Sequence, residues 1–201
     1  NTIVVLSSDN GGAGYLGLPQ VNAPYRGWKI TLFEGGLRVP MLVKWPDRIT
    51  PGTVVDTPVA HIDVLPPLAA AAGADLPDDR EIDGRNILPE ATGDGEIKRP
   101  GDAIYWQSGD YQVVRAGDWK LQVDGYQNKS WLFDLASDPT EQVNLIDRAT
   151  DKAEELRALL AAHHRDAVGP LYAHELRAPI MIDKTIDQRP AEDEEYVIWD
   201  N

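Results

Sequence analysis

Four consecutive apolar residues, Ile3-Val4-Val5-Leu6, run directly into Ser7-Ser8-Asp9-Asn10-Gly11-Gly12. A short, unbroken apolar run that ends in turn residues predicts a buried parallel strand, because a strand covered on both faces shows no polar alternation. Open sheets of this kind bind ligands outside the carboxyl ends of their strands. Asp9 and Asn10 therefore stand where a site is expected, and the glycines after them allow a tight turn and close backbone approach. A carboxylate and an amide oxygen suit a hard cation. Taken alone, the same residues read better as an ordinary turn after a core strand than as a metal site.

The next hundred positions alternate strand and helix signals. Gly11 to Gly27 reads as a long surface loop. Leu37-Arg38-Val39-Pro40-Met41-Leu42-Val43 predicts a second buried strand, bent or at an edge because proline donates no ladder bond. Asp63 is a candidate cap for a helix through Ala72, with Pro66 and Pro67 in its first turn and Gly73 placed to end it. Strand, loop, strand and helix in this order predict an α/β domain over residues 1–100, its last part a polar connector at 75–102. Beyond it the pattern changes to short runs, 103–106, 111–115, 119–123 and 131–135, separated by turn residues, which predict an antiparallel meander. Leu156, Leu159 and Leu160 mark a helix over 151–164, capped by Thr150 or Asp151. Residues 101–201 thus read as a small α+β subdomain with one helix and an irregular tail from Gly169. The chain enters its first strand almost at Asn1, which predicts a further N-terminal portion and makes the lack of a visible targeting segment uninformative.

Composition excludes more than it selects. The 201 residues carry a formal net charge of -14, which disfavours a phosphate-backbone partner, and no apolar stretch approaches membrane-spanning length. There are no cysteines, so a disulfide framework, a thiolate metal site and a cysteine nucleophile are absent from this sequence.

A second set of residues gives the Asp9-Asn10 turn its context: Tyr25-Arg26-Gly27-Trp28-Lys29, then Glu34-Gly35-Gly36-Leu37-Arg38-Val39-Pro40. Together with Trp45-Pro46-Asp47-Arg48-Ile49, Ile62-Asp63-Val64-Leu65-Pro66 and Leu132-Phe133-Asp134-Leu135 through Asn144-Leu145, the ordered set resembles the type I, formylglycine-dependent sulfatases of the alkaline phosphatase superfamily. The resemblance implies the end of an alkaline-phosphatase-like sheet domain followed by the family's C-terminal subdomain. It implies that Asp9 and Asn10 are metal ligands for Ca2+, and that Lys29 is a catalytic and substrate-binding lysine on the sulfate group. A compact ammonium approaches a tetrahedral anion and stabilises charge as the S–O bond breaks.

The same resemblance implies a formylglycine made from a Cys or Ser in a Cys/Ser-x-Pro-x-Arg element, which this sequence lacks. Ser137-Asp138-Pro139-Thr140-Glu141 has Glu at the place of Arg, and Asn22-Ala23-Pro24-Tyr25-Arg26 begins with Asn. The expected partners are therefore a sulfate ester, taken to be a sulfated carbohydrate, and the missing N-terminal portion of the same enzyme, with no nucleic acid and no membrane. The chain by itself is expected to be inactive, and its location periplasmic or secreted. A phosphodiesterase or phosphonate hydrolase of the same superfamily, and a non-catalytic module binding sulfated glycans, are the alternatives.

Several polar residues stay open. Glu34 and Arg38 read better as a structural ion pair than as catalytic groups. Arg26 faces either substrate or solvent. His163 and His164 suit a helix C-terminus, His174 lies in the tail, and His61 is the one histidine to weigh near a site. Tyr105, Trp106, Tyr111 and Trp119 fit a sheet core better than a carbohydrate platform.

Overall fold

A computed structural model describes every residue except Pro19, which falls inside the loop expected at 11–27, Asp166 and Asn201. The chain forms two compact units. One comprises Asn1–Ser7 and Met41–Asp102; the other comprises Ser8–Pro40 and the chain from Ala103 onward.

In the first unit, β1 (Val4–Ser7) pairs with β2 (Met41–Lys44) in a two-stranded sheet. The expectation of a buried parallel strand is corrected: the pairing is antiparallel, Val5 opposite Val43, and Leu6 and Leu42 are more than half exposed. An apolar run reports affinity for cover and not the direction of its neighbour, and here β2 is its one described neighbour. The second strand is also shorter than expected, since Leu37 ends a helical turn and Pro40 lies just before β2. A 3-10 turn, His61–Val64, leads into helix α2 (Leu65–Ala72), which Gly73 stops in the left-handed conformation. Asp63 is not the cap residue. It sits inside the turn, fully buried, and accepts hydrogen bonds from the N–H groups of Ala60 and Arg85 at 2.7 Å each and from Arg99 at 2.5 Å. The connector holds a short helix, α3 (Leu88–Thr92), and a 3-10 turn at Pro100–Asp102.

The second unit is built on the expected meander: β3 (Ala103–Ser108), β4 (Tyr111–Ala116), β5 (Trp119–Asp124) and β6 (Lys129–Asp134), each antiparallel to the next. Side chains alternate across a sheet, so the two faces separate cleanly. Val114, Leu121 and Leu132 pack under helix α4 (Thr150–Arg165), which contributes Ala153, Leu156 and Leu160 at spacings of three and four residues. Tyr111, Val113, Trp131 and Phe133 face the other way and pack with Phe33, Ile182 and Val197. Burial on both faces is why β6 carries Trp131, Leu132 and Phe133 in succession, whereas β5 alternates and turns Lys120 and Gln122 to the aromatic face. The aromatics of the meander are core: Tyr111 is fully buried, Trp106 packs on one cluster, and Tyr105 and Trp119 pack on the other.

The expectation of an irregular tail is corrected. Strands β7 (Arg177–Met181) and β8 (Tyr196–Asp200) form an antiparallel pair that delivers Ile182 and Val197 to the meander. Pro179 inside β7 hid the strand, although an edge position tolerates it. Helix α1 (Glu34–Leu37) is a single turn over the same face of the meander. None of the described helices is long and apolar enough to cross a membrane.

Candidate functional site

The Asp9-Asn10 turn and the Lys29 loop meet through the main chain. The N–H of Gly11 donates to Gly36 O at 2.9 Å, the N–H of Lys29 to Gly12 O at 3.1 Å, and the N–H of Gly35 to Arg26 O at 2.7 Å. Asn22 stitches the same segments with its side chain. Its Oδ1 accepts from the Gly12 N–H at 2.6 Å, and its Nδ2 donates to Gly12 O at 3.0 Å and Gly27 O at 3.2 Å. Such closeness requires glycine: a Cβ at Gly11 would lie 1.8 Å from Gly35 O, and one at Gly35 would lie 2.2 Å from Gly27 O. Ile30, immediately after Lys29, is held at φ 89°, a conformation costly for a β-branched residue. The bonds of Trp28 and Thr31 on either side maintain it, with Thr31 Oγ1 accepting from the Trp28 N–H at 3.1 Å.

The three residues singled out by sequence are thus carried by one hydrogen-bonded frame. Asp9 is exposed, Asn10 and Lys29 half-buried. Among the described residues, no hydrogen bond or ion pair engages the Asp9 carboxylate, the Asn10 amide or the Lys29 ammonium. An anionic oxygen and a neutral carbonyl oxygen next to each other fit a calcium ion as part of a donor set. They are not a complete one: among the described residues no group of three or more His, Cys, Asp or Glu side chains is arranged to hold a metal. His61, exposed, belongs to the other compact unit. His163 stacks flat on Tyr105 at 4.0 Å between centroids.

Beneath the frame lies a polar cluster that sequence reasoning missed. Lys120 is completely buried and bonds Glu34 Oε1 and Glu141 Oε1 at 2.9 Å each. Glu141 Oε2 accepts the N–H of Glu34 at 2.5 Å, Gln122 Nε2 donates to Glu141 Oε1 at 3.1 Å, and the Tyr111 hydroxyl bonds Gln122. Glu34 is therefore structural, as expected, but its close partner is Lys120; Arg38 stands 3.9 Å away. Burial pushes the Glu34 carboxyl up, and the charge and hydrogen bond of Lys120, helped by Arg115 and Arg38, outweigh it and leave Glu34 below the ordinary range. Burial wins at Glu141, which is raised, with the like charge of Glu34 adding to it. The signal available in sequence was the placement of Lys120 and Gln122 on the meander face shared with Tyr111 and Trp131.

Arg26 is engaged by protein acids rather than left to open solvent, and it also borders a cavity. Its side chain is 11% exposed and its guanidinium pairs with Asp183 and Glu195 at 2.6 and 2.7 Å. Beside it, a cavity of about 260 Å3 lies between the loop before Lys29 and the segment after β7, lined by Gln20, Asn22, Tyr25, Asp183, Lys184 and Gln188 among others.

In fold the chain is similar to solved structures of sulfatases, which are of alkaline-phosphatase-like fold. One of the similar structures is a protein in complex with its substrate D-glucosamine-2-N,6-O-disulfate, 25% identical with a TM-score of 0.61, aligned over 82% of this chain and 34% of that one. Among curated proteins, the chain is 40% identical over 163 residues to a sulfatase of Formosa agariphila, covering 73% of this chain and 29% of the relative. It is 46% identical over 98 residues to the steryl-sulfatase of Rattus norvegicus, covering 44% of this chain and 16% of the relative. The chain spans less than a third of the length of these curated relatives. Residues 26–166 match the family described as N-sulphoglucosamine sulphohydrolase, C-terminal, a stretch that includes Lys29 and begins after Asp9 and Asn10. The chain belongs to the sulfatase family.

Proposed function

We propose that this chain supplies the C-terminal portion of an enzyme that hydrolyses sulfate esters of a glycan. The observation that carries the reading is the main-chain bond from Lys29 to Gly12, which ties to the Asp9-Asn10 turn an ammonium that has no acidic partner among the described residues. Lys29 would contact the sulfate oxygens and stabilise the charge that grows as the S–O bond breaks. Asp9 and Asn10 would provide two oxygen ligands to a calcium ion, which supplies positive charge to orient the attacking group and polarise a sulfate oxygen. The remaining ligands and the formylglycine belong to sequence other than these 201 residues, so the isolated chain is expected to be inactive. Two features support a sugar substrate: the polar lining of the adjacent cavity, and the sulfated glucosamine bound by a similar structure.

The test is desulfation by the enzyme that contains this sequence, using sulfated oligosaccharides, aryl sulfates, steryl sulfates and phosphate diesters. The expected result is turnover of sulfated sugars, reduced about a hundredfold or more by Lys29→Ala and by Asp9→Ala. Turnover of aryl or steryl sulfates alone would overturn the glycan assignment. Preference for phosphate diesters would overturn the sulfatase assignment.

A further inference from the structure

The loop that carries Lys29 is gripped from one side by the last hairpin of the chain. Arg26 Nε donates to Asp183 Oδ1 at 2.8 Å, and its Nη2 donates to Asp183 Oδ2 at 2.6 Å and to Glu195 Oε2 at 2.7 Å. Its Nη1 reaches Glu141 O at 3.3 Å, and the guanidinium lies over the Phe33 ring, 5.0 Å from the centroid. Two residues further on, Trp28 Nε1 donates to Met181 O at 2.9 Å. Both residues flanking Gly27 are thus fixed to the segment 181–195, while the N–H of Lys29 is fixed to Gly12.

The charges in this grip are mutually satisfied. Glu195 Oε1 also accepts from Lys129 Nζ at 2.6 Å and from Trp131 Nε1 at 3.1 Å, which joins the grip to β6. Burial raises the Glu195 carboxyl, but the hydrogen bonds of Arg26, Lys129 and Trp131 outweigh it and bring it down to about 2. An arginine committed to two carboxylates and a carbonyl has no donor geometry left for a bidentate oxyanion. The fork of Arg26 does work that a lysine cannot reproduce, because a point charge does not span two acids and a carbonyl in fixed directions.

We infer that Asp183 and Glu195, acting through Arg26, are positioning residues for Lys29: the C-terminal hairpin sets where the sulfate-contacting ammonium stands, without itself touching the substrate. The inference rests on the sulfate-ester reading for its catalytic consequence only. The mechanical part, hairpin to Arg26 to loop, stands on the contacts alone.

The two parts are tested separately. In hydrogen exchange on the enzyme that contains this chain, the isosteric double variant Asp183→Asn with Glu195→Gln is expected to speed exchange about tenfold across residues 22–36, leaving β4 and β5 unchanged. In the enzyme that contains this chain, the same variant is expected to lower kcat/KM for a sulfate ester about tenfold to a hundredfold. Arg26→Lys is expected to recover part of the loss relative to Arg26→Ala. Unchanged exchange at 22–36, or equal loosening of the loop and of β4 and β5, overturns the grip. Faster exchange at 22–36 with an unaltered kcat/KM overturns the link to Lys29. Absence of sulfate-ester hydrolysis by the parent enzyme refutes the functional reading instead, and leaves the exchange result to decide the grip.

Discussion

The two faces of the meander are covered by different physics. Under α4 the fully buried contacts are aliphatic, Leu121 and Leu132 against Leu156 and Leu160, with Tyr105 and Trp119 at the margin, and none of the buried residues of this cluster is charged. On the opposite face, aromatic packing around Phe33 surrounds a buried charged cluster of Lys120, Glu34 and Glu141, and above it the Lys29 frame is held by main-chain bonds and glycines. Dispersion and hydrophobic contacts are non-directional and tolerate small shifts. Hydrogen-bonded ions and carbonyls stacked on glycines do not. One face supplies stability, and the other supplies position.

Removal of Lys120 should break this contrast most severely. Lys120→Ala leaves two buried carboxylates facing each other and is expected to cost about 3–5 kcal/mol in chemical denaturation, with exchange over 8–36 accelerated first. Leu156→Ala, which opens a cavity on the other face, should cost about 2–5 kcal/mol. It should leave the relative protection of the Lys29 frame intact. If it loosened the frame as much as Lys120→Ala, the division of labour would be wrong. The smallest effect is a pH dependence. The folded Glu195 carboxyl titrates at about 2 against an ordinary 4.5, so the folded state binds fewer protons between those values. Its stabilising contribution is present above pH 4.5 and is lost as pH falls towards 2. Glu195→Gln should flatten that part of the stability profile while leaving the profile above it unchanged.

What sequence made legible follows the same division. The meander and α4 announced themselves through turn residues and leucine spacing, because apolar packing writes a periodic pattern. Asp9 and Asn10 were singled out by their place after an apolar strand and Lys29 by resemblance, but the frame that joins them was not foreseen, because bonds such as Gly11 to Gly36 leave no periodicity. Lys120 and Gln122 were missed since a polar residue in an alternating strand normally points to water, and only the cover of α1 and Phe33 makes that face interior. The parallel pairing assigned to β1 failed because an apolar run does not encode the direction of its neighbour. The hairpin β7–β8 was hidden by Pro179 and by the polar stretch between its strands, and with it went the partner of Arg26.

The interlock of Gly11, Gly35 and Gly36 has a practical corollary for redesign. The spacing between the Asp9-Asn10 turn and Lys29 is written in peptide groups and in the side-chain bonds of Asn22 and Arg26, so the cavity-lining side chains outside that network are the ones open to exchange. Gln20, Tyr25 and Lys184 contribute no side-chain bond to those peptides. A combinatorial library confined to these three positions is expected to change the lining of the cavity while the Asp9-Asn10 turn and Lys29 keep their register.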